Sequence, residues 1–126
     1  MGSRNGQSTF NFALSVPADK TEAVEEVIAT HAVWMRETRS LETDGRIHVV
    51  DYHVAKVDVM NNLLDSSEGK TGNILYSINE VYVEKDGIDQ HMGKAMEWPH
   101  IQDFVGMLTE YGKVLIGGGM VIHSMN

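Results

Sequence analysis

The sequence contains no cysteine, which excludes disulfides, thiolate catalysis and cysteine-based zinc sites. Nor is there an apolar run near the roughly 20 residues that a membrane-spanning helix requires. The first residues, Met1 to Ser8, are polar with a single Arg4, and no hydrophobic region precedes a small-residue cleavage site. Gly6 stands where a myristoylation signal needs Ser or Thr. These absences set a cytoplasmic location, without membrane contact, as the default expectation. Basic residues are also scarce: ten Lys and Arg face eighteen Asp and Glu, for a formal net charge of −8. Phosphate recognition depends on Lys and Arg, so neither nucleic acid nor an anionic membrane is expected as a partner.

Several motifs that carry chemistry are missing too. Gly69-Lys70-Thr71 has the ending of a phosphate-binding loop, but Leu64 stands in place of its first glycine. No G-x-G-x-x-G turn follows a strand. His48 and His53 are five apart on a strand and point to opposite faces, which disfavours a shared metal. The expectation is therefore no metal, no flavin, no nicotinamide and no other cofactor.

What is present reads as one domain spanning residues 9–126 after a polar extension, residues 1–8. Phe10, Phe12, Leu14 and Val16 alternate with Asn11, Ala13 and Ser15, a strand pattern stopped by Pro17. Val24, Val27, Ile28, His31, Trp34 and Met35 follow helical spacing and predict a helix over 20–40, with Asp19 as its cap. Asp44-Gly45 closes the connection. A long strand follows over 46–60, with a bulge expected near Asp51–His53, then a polar loop at 65–73 and a strand over 74–83. Asp86-Gly87 turns the chain into a short helix over 88–97. Pro99 opens another, and the last strand runs from Val114 to His123, where Gly117-Gly118-Gly119 mark a bulge or a close backbone approach. This β-α-β-β-α-β order, with the second helical region broken in two, is the ferredoxin-like α+β arrangement with an antiparallel sheet.

Both helices of that fold cover one face of the sheet. The strands over 46–60 and 74–83 carry apolar residues on both faces, among them Leu75, Val81 and Val83 opposite Ile74, Ile78 and Tyr82. A second cover is then needed, and a homodimer with two sheets facing each other supplies it.

Asn79-Glu80-Val81-Tyr82, His91 and Pro99-His100-Ile101-Gln102-Asp103-Phe104-Val105 together resemble the dimeric α+β barrel proteins, in particular the antibiotic-biosynthesis-monooxygenase-like (ABM-like) group. The resemblance covers 10–125 in element order and 79–105 at the level of motif. It implies a dimeric α+β barrel with a pocket between each sheet and its helices. Haem-degrading members carry a Trp beside the strand Glu; Asn79 occupies that position here, and haem chemistry is not carried over. The segment from Gly93 to Trp98 lengthens the connection between His91 and Pro99.

The candidate catalytic groups are His31, Glu80 and His91. His31 lies on the apolar helix face, where an imidazole can act as a base or serve as a satisfied core histidine. Glu80 can hold a raised pKa or act as a structural acceptor. Asn11, Phe12, Ala13, Val27, His31, Trp34, Ile78, Tyr82, Trp98 and Phe104 are the expected lining of a ligand pocket. Met92, Met96, Met107, Met120 and Met125 suit either an adaptable apolar pocket or an ordinary core. Three functions remain open on these residues: binding of a small apolar, amphipathic or aromatic ligand; cofactor-independent monooxygenase-like chemistry on an aromatic substrate; and a structural or regulatory dimer with a filled core.

Overall fold

The computed structural model describes residues 6–42, 46–83 and 87–125. The expected turns at Asp44-Gly45 and Asp86, and the first five residues, lie outside them. The first strand, β1 (Ser8–Pro17), buries every second side chain, from Ser8 and Phe10 to Val16. It starts one residue inside the expected polar extension. A 3-10 turn at Ala18–Lys20 leads into α1 (Thr21–Thr38), which has no side-chain cap. Asp19 falls inside that turn rather than ahead of the helix, so it does not cap it. The Thr21 hydroxyl instead donates to the carbonyl of Ala18 at 3.1 Å.

Arg39 leaves α1 in extended conformation and forms, with Ser40, the two-residue β2 (Arg39–Ser40), paired in parallel with β3 (Ile47–Met60). The long β3 pairs antiparallel with β4 (Lys70–Tyr82), with register shifts between Val49 and Asp51 and between Asp58 and Met60. The first shift lies at the edge of the bulge expected near Asp51–His53. β4 starts four residues earlier than its apolar pattern suggested, because Lys70 to Asn73 join the hairpin. The helical region that follows is α2 (Gly87–Glu97) and α3 (Ile101–Tyr111). Pro99 disfavours helical backbone at Trp98 and brings no N–H, and α2 ends at Glu97.

The final strand is β5 (Gly112–Met120). A Cβ at Gly112 would lie 2.3 Å from Leu14 Cδ2 and 2.6 Å from the Ala13 carbonyl oxygen, so only glycine lets the chain pass β1 here. Gly118 has φ of 87° and is skipped in the β1–β5 register, which shifts between Thr9 and Phe10 and again between Asn11 and Phe12. The sequence pattern had placed such an irregularity at the glycine triplet.

The sheet order is β2-β3-β4-β1-β5. Without the short β2, the four long strands have the antiparallel order of the ferredoxin-like fold, with all three helices on one face. The core lies between them and includes Phe10, Phe12, Trp34, Tyr76, Ile78, Trp98 and Phe104. Each such fully buried apolar side chain contributes about 1.5–3 kcal/mol by leaving water.

The opposite face is more polar than expected. At its centre Asn11 donates to Asn79 at 2.8 Å, and Asn79 donates to the Ser77 hydroxyl at 3.1 Å. Apolar side chains on the exposed side of the sheet include Val57 and Leu75. Among the described residues, no helix is long and apolar enough to cross a membrane.

Candidate functional site

Alternation on β4 places Tyr76, Ile78, Glu80 and Tyr82 beneath the helices. Three of these four are apolar or amphipathic, but Glu80 is a carboxylic acid with 0% exposure. A buried charge is stable only when paired and hydrogen-bonded, and the chain supplies the partners from three other elements. Arg39, at the end of α1, and His91, on α2, are both buried. The Tyr82 hydroxyl donates to Glu80 Oε1 and accepts from Arg39 Nε at 3.4 Å. A second guanidinium nitrogen of Arg39 meets His91 Nδ1, and a third meets the Thr38 hydroxyl. Arg39 also lies over the Trp34 ring, 4.3 Å from its centroid.

His31 approaches the same carboxyl group from α1. Its Nε2 is 4.0 Å from Glu80 Oε2, and its Nδ1 is 3.0 Å from the Tyr52 hydroxyl on β3. Glu80 Oε2 itself is buried and, among the described residues, has no hydrogen-bond partner. Burial pushes the Glu80 carboxyl up to about 7, against the lowering effect of the Tyr82 hydrogen bond and of Arg39. Burial, reinforced by the Arg39 charge, depresses both His31 and His91 to about 3. At neutral pH the two imidazoles are therefore uncharged, and Glu80 holds its proton part of the time. When it does, that proton can sit on Oε2 and face His31.

Above this polar layer lies a cavity of about 150 Å3 walled by Phe10, Phe12, Trp34, Trp98 and Phe104, with His31 and His91 among the lining residues and the half-exposed Met92, Val105 and Val114 on its open side. The rings are mutually arranged. Trp34 and Trp98 stack with centroids 4.8 Å apart, His31 stacks on Phe104 at 4.5 Å, and Phe12 meets Phe104 edge-on at 5.6 Å. A larger groove of about 370 Å3 lies by the other end of β4, but it opens to solvent and is lined by Glu25, Lys56 and Asp58 as well as Tyr76.

Of the residues expected at a site, the structure brings His31, Glu80, His91 and Tyr82 into one polar cluster, and His31, Trp34, Phe12, Trp98 and Phe104 around one cavity. Ile78 is fully buried in the core beside them but does not line the cavity. Asn11 and Ala13 are misplaced by the expectation: they alternate with Phe10 and Phe12 and so belong to the other face of β1. Val27 packs against the core but borders an outer depression with Glu26, Thr30, Trp98 and His100 rather than this cavity. His100 is exposed at the start of α3, 3.6 Å from Asp103. His48 and His53 have separate partners, the Leu41 carbonyl and Asp51, and no metal-binding group of three His, Asp or Glu occurs among the described residues.

Arg39, Phe10, Ala95 and Tyr52 were not anticipated. Arg39 had a signal in the sequence: it follows His31 by eight and Met35 by four, on the apolar stripe of the helix predicted over 20–40, and a buried Glu80 requires a cation.

No known protein family matches the sequence, and no curated protein is similar to it. Among solved structures, the chain is similar to one described as "Putative antibiotic biosynthesis monooxygenase from Nitrosomonas europaea". The two share 15% identity over 98% of this chain and 100% of the other, with a TM-score of 0.49.

Proposed function

We propose that the protein binds a small apolar or aromatic molecule in the cavity beneath its helices. The observation that carries this reading is the unfilled space itself, about 150 Å3 inside a wall of stacked aromatic rings. An apolar space of about that volume accepts a benzene-sized guest. Drug-sized ligands need roughly 300 Å3 or more, so the occupant is a single ring rather than a polycycle, a fatty acid or a haem. Titration with toluene should change the fluorescence of Trp34 and Trp98 saturably. Ala95, at the cavity wall and 6% exposed, gives the control: Ala95→Leu should remove the response and leave the fold intact. A linear, unsaturable response in both proteins would refute the proposal.

A second reading is favoured by the orphaned Glu80 Oε2. A carboxyl group poised near neutrality, with His31 between it and the cavity, suits proton removal from a bound hydroxyl. That is the step an enzyme resembling cofactor-independent monooxygenases needs before an electron-rich ring meets oxygen. Oxygen uptake with hydroquinone, lost in Glu80→Gln and in His31→Ala, would support it. Wild-type protein that binds hydroquinone without consuming oxygen would leave binding as the function.

The same reading includes a homodimer with the two sheets facing. Exposed Val57 and Leu75 support it, and the Asn11-Asn79-Ser77 chain would then be shielded from water. Sedimentation should show about twice the 14.0 kDa chain mass. A monomer throughout a micromolar dilution series would contradict it.

A further inference from the structure

The hydrogens around His91 can be assigned one by one. A guanidinium only donates, and a phenol has one proton to give. The Tyr82 proton goes to Glu80 Oε1, so the Tyr82 hydroxyl is an acceptor for Arg39 Nε. It then has nothing left to donate to His91 Nδ1, 3.0 Å away. Glu80 Oε1 also lies 3.4 Å from that nitrogen, but a guanidinium nitrogen of Arg39 is nearer, at 2.5 Å, and can only donate, so Nδ1 carries a lone pair. In a neutral imidazole the proton is then on Nε2. Among the described residues Nε2 of His91 has no hydrogen-bond partner, and the His91 ring lines the cavity.

The other polar groups of the wall lack strong acceptors. Trp34 and Trp98 bring indole N–H groups, which donate and do not accept. His31 is committed through Nδ1 to Tyr52 and faces Glu80 with Nε2. Among the described residues, no Asp, Glu, Lys or Arg lines the cavity. The Arg39 charge is spent on Thr38, Tyr82 and His91 and on the Trp34 ring. An anionic or cationic ligand would thus lose its hydration and find no countercharge.

We infer that His91 Nε2–H is a fixed donor on the cavity wall, and that the ligand is a neutral single ring carrying a hydrogen-bond acceptor, such as an aromatic aldehyde or ketone. Arg39 is the positioning residue, since it holds the tautomer without reaching the ligand. The inference rests on the proposed binding function and adds its selectivity.

Two measurements on the full chain test it. In 15N spectra at neutral pH, His91 should show an unprotonated Nδ1 and a protonated Nε2; the reverse tautomer, or an imidazolium, overturns the assignment. In titrations, acetophenone should bind roughly tenfold more tightly than toluene, as one neutral hydrogen bond allows, and benzoate should not compete. His91→Phe should bring acetophenone and toluene to the same affinity. If toluene binds and acetophenone binds no tighter, or benzoate binds as well, the inference alone falls. If neither neutral ring binds, the proposed binding function falls and the inference with it.

Discussion

The same side-chain pair occurs twice on β4, in opposite surroundings. Tyr76 donates to Glu25 at 2.6 Å by the solvent groove, and Tyr82 donates to Glu80 beneath the helices. Each carboxylate also has a cation: Lys56 lies 2.9 Å from Glu25, and Arg39 reaches Glu80 through Tyr82. The outcomes differ in sign. Glu25, whose side chain is 44% exposed, is held below its ordinary pKa by Lys56 and then Tyr76. Glu80, with no exposure, is pushed up to about 7. Hydrogen bonding and opposite charge favour the ionised form in both places; only burial opposes it, and in the interior burial wins. The groove thus holds an ordinary carboxylate, and the chamber holds one that can exchange a proton near neutrality.

Acid should sharpen this contrast most. His31 and His91 fall from 6.5 to about 3 on folding, so the stability tied to their neutral forms is present above pH 6.5 and lost as pH drops through 3. Glu80 runs the other way: its folded pKa is raised from 4.5 to about 7, so its contribution is present below 4.5 and lost as pH rises through 7. Two histidines oppose one carboxyl group, and the melting temperature should fall steeply from pH 6.5 toward 3. Glu80→Gln removes the opposing group and should steepen that fall between pH 7 and 4.5. Glu25→Gln should not steepen it. A melting temperature flat from pH 7 to 4 would show that the histidines are not held neutral.

Removal of the cation comes next. Arg39→Met takes a buried donor from Tyr82 and His91 and a nearby cation from Glu80, and should cost about 1–3 kcal/mol in urea unfolding. Arg39→Met with Glu80→Gln should recover part of that loss, because the pair acts as a unit. Lys56→Met at the groove should change stability too little to measure. Equal losses at the two ends would mean that the chamber is as well hydrated as the groove.

These pairs also show what the sequence could reveal. The alternation of β1 and the helical stripe of α1 identify Phe12, His31 and Trp34 as inward-facing, because burial of one face imposes a period on each element. The same rule excludes Asn11 and Ala13 from the pocket of Phe12, since three consecutive strand residues cannot share a face. The missing part is long-range. Nothing local in Arg39 shows that it leaves α1 to pair with His91, 52 positions away. The polar cluster is assembled from β4, α1, β2 and α2, and only the packing of those elements decides which polar groups meet. The cavity has the same origin: Pro99 breaks the helix, and the break sets Trp98 against Trp34.

Loss of the two tyrosine hydroxyls should again have unequal effects. Tyr82→Phe removes the only described donor to Glu80 Oε1 and leaves Arg39 Nε without that acceptor. Both groups are buried, so the cost should be about 1–3 kcal/mol, and the Glu80 pKa should rise further because a lowering influence is gone. Tyr76→Phe takes the equivalent hydroxyl from Glu25, but Lys56 remains at 2.9 Å and water can replace the lost donor. The Glu25 pKa should move upward only slightly, with no measurable change in stability. Carboxyl 13C titrations of the two variants read both carboxylates directly. A larger upward shift at Glu25 than at Glu80 would show that the tyrosine, rather than burial, separates the two sites.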